Sequence, residues 1–252
     1  MTRRLRVETD ERGCRTFWLD RVEKRNALDG QFLQELLEAS LETTDDGDVR
    51  VIVLRSTSMV FCAGADLKDW ADVSPAEARR LSLLGSRAFQ ALADVPVPVI
   101  AAIDGAALGG GLEMALACDI RIGTPDCSVG YPEPRLGNSP AWGGMARLVE
   151  AVGKGYARNL LLTGDPISGS EAFRVGILQR LKSRDDFAAG LSDLVDSVLA
   201  CDGGTLSYIK SLFGQPAQVI SAQEAAIAGF TATRVESRER KEAFLASRRK
   251  KT

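Results

Sequence analysis

Two glutamates, Glu113 and Glu133, stand twenty positions apart, each in an unusual setting for a charge. Glu113 is the lone acid among Leu112, Met114, Ala115, Leu116 and Ala117, which would otherwise make a plain core helix. Glu133 sits between Pro132 and Pro134 in "GYPEPRLG". Twenty residues leave room for a helix, a strand and a return loop, so the two carboxylates can meet. Across one water, such a pair makes a general acid and a general base, provided their surroundings separate their pKa values. Apolar neighbours push either acid up, while a helix N-terminus pulls Glu113 down. Taken singly, each also fits a plain role: Glu113 as a first-turn helix acid, Glu133 as a surface loop residue.

The second chemical signal is glycine. Gly109, Gly110 and Gly111 lie between an apolar run, "VPVPVIAAIDGAAL", and the helix that carries Glu113. Glycine after a strand permits positive φ and close backbone approach. A helix beginning there points free N–H groups outward. "FCAGADLKDW" is a second glycine-bearing loop straight after a strand. One N–H from each loop facing a single carbonyl oxygen makes an oxyanion hole, in which losing a donor costs on the order of 3 kcal/mol of transition-state stabilisation. A competing reading takes Gly105, Gly109 and Gly111 as the G-x-x-x-G-x-G cofactor loop of short-chain dehydrogenases. That loop belongs on the first strand of a chain, whereas here about a hundred residues precede it. The Tyr-x-x-x-Lys pair is also missing: Tyr131, Tyr156 and Tyr208 are followed by Arg135, Leu160 and Leu212.

Composition narrows the chemistry further. There is no histidine, which removes His-based triads, His-ligated metals and imidazole acid–base steps. Proton transfer then falls to Asp, Glu, Lys, Tyr, Cys or water. Five cysteines with no C-x-x-C spacing point to free thiols in a reducing compartment, not to a disulfide frame or a zinc site. A net charge of −2 gives no reason to expect nucleic acid, and the basic ends read as solvated tails. With no membrane-length apolar run and no hydrophobic signal core in "MTRRLRVETDERG", the expectation is a cytoplasmic protein.

The elements that must position these residues follow from periodicity. "RLRVETDERGCRTFWLD" predicts a hairpin turning at Glu11–Gly13. Phe32, Leu33, Leu36, Leu37 and Leu41 predict a helix with Asp29 as N-cap. "VRVIVLRS" and "VPVPVIAAIDG" predict buried strands, with a helix from about Pro75 to Ala93 between them. After the Glu113 helix comes a strand, "CDIRIGT". The stretch from Ser128 to Val149 predicts irregular chain, and helices resume at "GKGYARNLLLTG". Alternating strands and helices make the fold class α/β with largely parallel pairing. A core of residues 1–195 and a helical region of 196–252 are expected, the latter as a subdomain or oligomer contact.

Taken together, three motifs in this order, "FCAGADL", "AAIDGAALGGGLEMALACDIRI" and "GYPEPRLG", resemble the enoyl-CoA hydratase/isomerase (crotonase) family. The likeness begins at "RVEKRNALDG", similar to the family's Arg-Pro-x-x-x-Asn-Ala-Leu, and runs to "LLLTGDPISGSEAFRVGIL". It implies a spiral of repeated ββα units with a C-terminal helical subdomain, a homotrimer or dimer of trimers, and a coenzyme A thioester as substrate, with no separate cofactor. By the same resemblance the oxyanion-hole N–H groups are those of Ala65 and Gly110, and Glu113 and Glu133 align with the two acids of the hydratases. Lys24, Arg25, Ala27, Ala63, Asp66 and Leu67 fall where the family holds the nucleotide and pantetheine. Phe230 and the basic "SRRKK" are candidates for the adenine–phosphate end.

Keeping both glutamates favours addition of water to a 2-enoyl thioester, or the reverse dehydration. Glu113 would act on the water and Glu133 on C2. The alternatives are another enolate reaction of the family, such as double-bond isomerisation or decarboxylation, and a CoA-ester-binding member without activity. Three departures from the family pattern bear on the pocket and the subunit contacts. Pro134 stiffens the chain behind Glu133. Asn138, Ser139 and Trp142 stand where small and aliphatic residues are usual, so Trp142 either shapes the acyl pocket or packs on the following helix. Arg240 replaces a glycine near the C-terminus.

Overall fold

The computed structural model describes residues 3–68 and 73–213, together with Val235 and Glu239. In chain order its strands are β1 (Leu5–Thr9), β2 (Cys14–Leu19), β3 (Val51–Ser56), β4 (Val99–Ile103), β5 (Ala106–Leu108), β6 (Ile120–Gly123), β7 (Ser128–Gly130), β8 (Ile167–Ser168) and β9 (Arg180–Leu181). Its helices are α1 (Gly30–Thr44), α2 (Pro75–Asp94), α3 (Gly110–Leu116), α4 (Gly144–Thr163), α5 (Gly169–Val175), α6 (Phe187–Leu199) and α7 (Gly203–Leu212).

The expected hairpin forms, with Leu5 opposite Leu19. From β2 onward the larger sheet is parallel, in the order β1-β2-β3-β4-β6-β9. A smaller sheet runs β5-β7-β8 and is extended by two isolated parallel bridges, Cys62 to Ala107 and Leu28 to Ala65. These pairings define the repeat. β2, β3, β4 and β6 each enter the large sheet. The chain then touches the small one at Leu28, at Cys62–Ala65, at β5 and at β7, and closes with α1, α2, α3 and α4 respectively. The result is a spiral of ββα turns.

Strands β3 and β4 are buried on both faces, which is why they read as unbroken apolar runs. On one face Phe17, Leu19, Ile52, Leu54, Val99 and Ala101 pack with α1 and α2. On the other, Val51, Val53, Ile100 and Ile122 pack with Phe187, Leu191, Leu194 and Val195 of α6. Residue 195, the expected edge of the core, therefore lies inside a helix seated on the main sheet. Asp29 caps α1 by accepting from Phe32 N, and Ser74 with Glu77 forms a capping box at the start of α2. The cysteines are free, four buried and Cys201 exposed. No helix among the described residues is long and apolar enough to cross a membrane.

Two elements differ from the sequence expectation. The run through "VIAAIDGAAL" is not one strand: it breaks at Asp104–Gly105 and sends its halves into different sheets. Gly105 takes φ +144°, and a side chain there would drive into the Met59 carbonyl. The stretch expected to be irregular holds β7, a 3-10 turn at Glu133–Leu136 and the first turns of α4, which starts at Gly144 and bends at Gly153.

Candidate active site

Two turns of the spiral bring the glycine loops together. Cys62 N donates to Ala106 O at 2.9 Å and Leu108 N to Cys62 O at 3.0 Å, which ties the loop after β3 to β5. Leu28 N donates to Gly64 O, and Asp66 N to Leu28 O, both at 2.8 Å. This pattern uses the peptides flanking Ala65 and leaves the Ala65 N–H without an acceptor among the described residues. A β-carbon at Gly64 would lie 2.8 Å from Leu108 O and 3.5 Å from Gly110 N, so the two loops are in contact there. Gly109 takes φ +52° and ψ −123° and donates to Gly130 O, turning β5 into α3. The N–H of Gly110, first residue of α3, likewise has no acceptor among the described residues. Ala65 and Gly110 both line a cavity of about 270 Å³.

Glu113 and Glu133 line the same cavity. Glu113 is buried on α3, and its Oε1 accepts from Trp142 N and Gly144 N, both at 2.9 Å. Burial raises its pKa, and the two N–H groups, which favour the ionised form, oppose that rise. Glu133 reaches the cavity from the other side, over Gly109: a β-carbon on that glycine would sit 2.6 Å from Glu133 Oε1. Its Oε2 is buried without a hydrogen-bond partner among the described residues. Burial, with repulsion from Glu113 adding to it, pushes the Glu133 carboxyl up to about 7. Glu113 is thus held by two N–H groups from another segment and Glu133 only by its own main-chain N–H, an asymmetry that separates two otherwise identical groups.

Residues 10–228 match the family model described as enoyl-CoA hydratase/isomerase. The chain belongs to that family. "Probable enoyl-CoA hydratase echA8" of Mycobacterium tuberculosis is 40% identical over 181 residues, 71% of this chain and 69% of that protein. The crotonyl-CoA hydratase of Syntrophomonas wolfei is 35% identical over 184 residues, covering 73% and 71%. The crystal structure of an enoyl-CoA hydratase from Bacillus anthracis matches with a TM-score of 0.92 at 26% identity, across 97% of this chain and 96% of that one. The spiral is the crotonase fold.

The residues expected at the CoA end of this family member are placed unevenly. Ala63 and Leu67 are exposed and line the cavity with Ala65. Lys24 and Arg25 are exposed and Ala27 is half-buried; none of the three lines the cavity, but Arg25 O accepts from Ala63 N at 3.0 Å, so their segment runs beside it. Arg25 and Asn26 both take left-handed φ. Asp66 turns inward: its carboxylate pairs with Arg21 at 2.8 Å and accepts from Lys68 N. Burial alone would raise the Asp66 pKa; the Lys68 N–H and the Arg21 guanidinium more than reverse it. Phe230, "SRRKK" and Arg240 lie outside the described residues.

Sequence reasoning missed two residues that shape this site. Arg21 pairs with both Asp29 and Asp66, joining the cap of α1 to the loop of Ala65. Nothing in a single sequence separates it from the exposed Arg25 four residues on. Tyr131 is fully buried with its hydroxyl unpartnered among the described residues. A β-carbon on Gly144 would lie 2.6 Å from that hydroxyl and 2.8 Å from Glu113 Oε1, so the phenol sits beside the acid. Burial, then the two glutamates, keeps it neutral by raising its pKa. A tyrosine at the end of a strand reads as core, which it also is. Trp142 lines the cavity, one of the two roles weighed for it, and its indole packs on Phe89 of the earlier helix α2, not on the helix that follows it.

Proposed function

We propose that this chain adds water across the double bond of a 2-enoyl-CoA thioester, giving a 3-hydroxyacyl-CoA, and catalyses the reverse dehydration. The observation that carries it is the convergence on one cavity of two unengaged main-chain N–H groups, on Ala65 and Gly110, and two glutamates, Glu113 buried and Glu133 half-buried. The thioester oxygen accepts from the two N–H groups, which gain strength as it takes negative charge. Glu113, held by Trp142 N and Gly144 N, removes a proton from water as its oxygen bonds to C3. The π electrons of the double bond move to form the enolate. Collapse of the enolate takes the Glu133 proton onto C2, a role that suits a carboxyl raised to about 7. Return of the proton from Glu113 to Glu133 through solvent resets the pair.

The same reading places the pantetheine against Ala63 and Leu67 at the cavity mouth, with Lys24, Arg25 and Ala27 beyond it and Asp66 acting through its backbone and its Arg21 pair. A homotrimer or dimer of trimers, and a cytoplasmic location, belong to it as well; sedimentation tests the first. The deciding experiment is loss of the crotonyl-CoA enoyl absorbance with native protein, Glu113→Gln and Glu133→Gln. Each variant should lose at least about a hundredfold in kcat while retaining the native circular dichroism. Near-native turnover in either one removes that residue from the mechanism.

A further inference from the structure

Trp142 occupies a space that two glycines on two helices leave open. A β-carbon at Gly85, in the middle of α2, would come within 2.7 Å of the indole Cε2, and one at Gly110, at the start of α3, within 2.7 Å of Cε3. Phe89, one turn after Gly85, meets the ring edge-on, with centroids 5.6 Å apart and planes at 87°. The segment before the indole is pinned from the same helix, since Ser82 Oγ and Ser86 Oγ both donate to Ala141 O, at 2.8 and 3.3 Å. The residue is 2% exposed, and its own N–H holds Glu113. It is a fixed wall between α2 and α3, not a side chain free to swing aside.

We infer that Trp142 closes the acyl end of the cavity and confines the substrate to short, straight 2-enoyl chains. This rests on the placement of the thioester at Ala65 and Gly110 proposed above. On that placement the acyl chain meets the wall that Trp142 forms, since the indole lines the same cavity as Ala65, Gly110 and both glutamates. The cavity measures about 270 Å³, just below the ordinary range for ligand pockets.

The test is a chain-length series of 2-enoyl-CoAs with four, six, eight and ten carbons, run on native protein, Trp142→Ala and Trp142→Leu. The second variant refills most of the space should the first fail to fold. Native kcat/KM should fall at least tenfold between six and ten carbons, since a single methylene in an apolar pocket already discriminates by about tenfold or more. In either folded variant the ten-carbon to four-carbon ratio should rise at least tenfold. Calorimetric binding of butyryl-CoA and decanoyl-CoA reads the same wall without any turnover, so it decides the inference even if hydration itself is not observed. Equal native efficiency on four and ten carbons, a ratio unmoved in both variants, or equal affinity for the two saturated esters overturns it. So does a native preference for an aromatic enoyl thioester over crotonyl-CoA.

Discussion

Glu133 lies over the α-carbon of Gly109, its Oε1 2.6 Å from where a β-carbon would be. One glycine thus serves both halves of the site: its turn delivers the Gly110 N–H, and its bare α-carbon makes room for the acid. Gly109→Ala should displace Glu133 and also strain a backbone at φ +52° and ψ −123°. The expected loss in kcat for crotonyl-CoA hydration is about a hundredfold or more, against a smaller change in KM. A variant that folds and turns over normally would show that Glu133 need not sit there.

The raised pKa of Glu133 has a signature in stability as well as in rate. Its folded value, about 7, lies above its ordinary 4.5. Between those values the folded chain binds more protons than the unfolded one, so this residue's contribution makes stability fall as pH rises from about 4.5 to about 7 and level off above. Glu133→Gln should remove that slope, read as Tm against pH beside the native protein. In the proposed mechanism Glu133 starts protonated, so native kcat/KM should decline on the alkaline side of about 7. A native rate that climbs steadily to pH 9 contradicts the assignment of Glu133 as the acid.

Arg21 joins two carboxylates that are nearly buried, with Asp29 and Asp66 side chains 7% and 10% exposed. Arg21→Ala leaves Asp66 without its paired cation and should destabilise the protein by about 3 kcal/mol or more in urea unfolding. A lysine ends one atom short of the Nη1 that reaches Asp29, Asp66 and the Ala27 carbonyl, so Arg21→Lys should recover only part of this. Because Asp66 follows Ala65, the variant should also weaken butyryl-CoA binding. Stability within 0.5 kcal/mol of native would refute the clamp.

The hydroxyl of Tyr131 has no partner among the described residues, although the side chain is fully buried. Removing an unpaired buried hydroxyl is neutral or stabilising. Tyr131→Phe should therefore leave Tm unchanged or raise it slightly. A fall of several degrees would mean that the hydroxyl is bonded, by water or by one of the glutamates.

Local pattern made much of the fold legible. The alternation of β1 and β2, the apolar runs of β3 and β4, the Asp29 cap and the 3.6-residue spacing of α1 and α2 are all determined within a few residues of chain. The break at Gly105 was hidden because Met59, which forbids a side chain there, is far away in sequence. The start of α4 was hidden by Pro140, Gly143 and Gly144, which look like loop; a side chain at position 144 would press on Tyr131 and Glu113. The glutamates and glycine loops stood out because their residue types are costly where they occur. Arg21 and Tyr131 did not, since an arginine near a surface turn and a tyrosine at a strand end are ordinary until their distant neighbours are known.

Gly85 is a helix residue chosen against its own helix. In mid-α2 it gives up roughly 1 kcal/mol relative to alanine, and the indole of Trp142 is what occupies the vacated methyl's place. Position 85 is therefore free to change only after position 142 has. Once a lineage exchanges the tryptophan for a small residue, alanine at 85 becomes the better choice, and a rigid, small-pocketed enzyme can drift in two steps towards a sturdier helix and a roomier substrate.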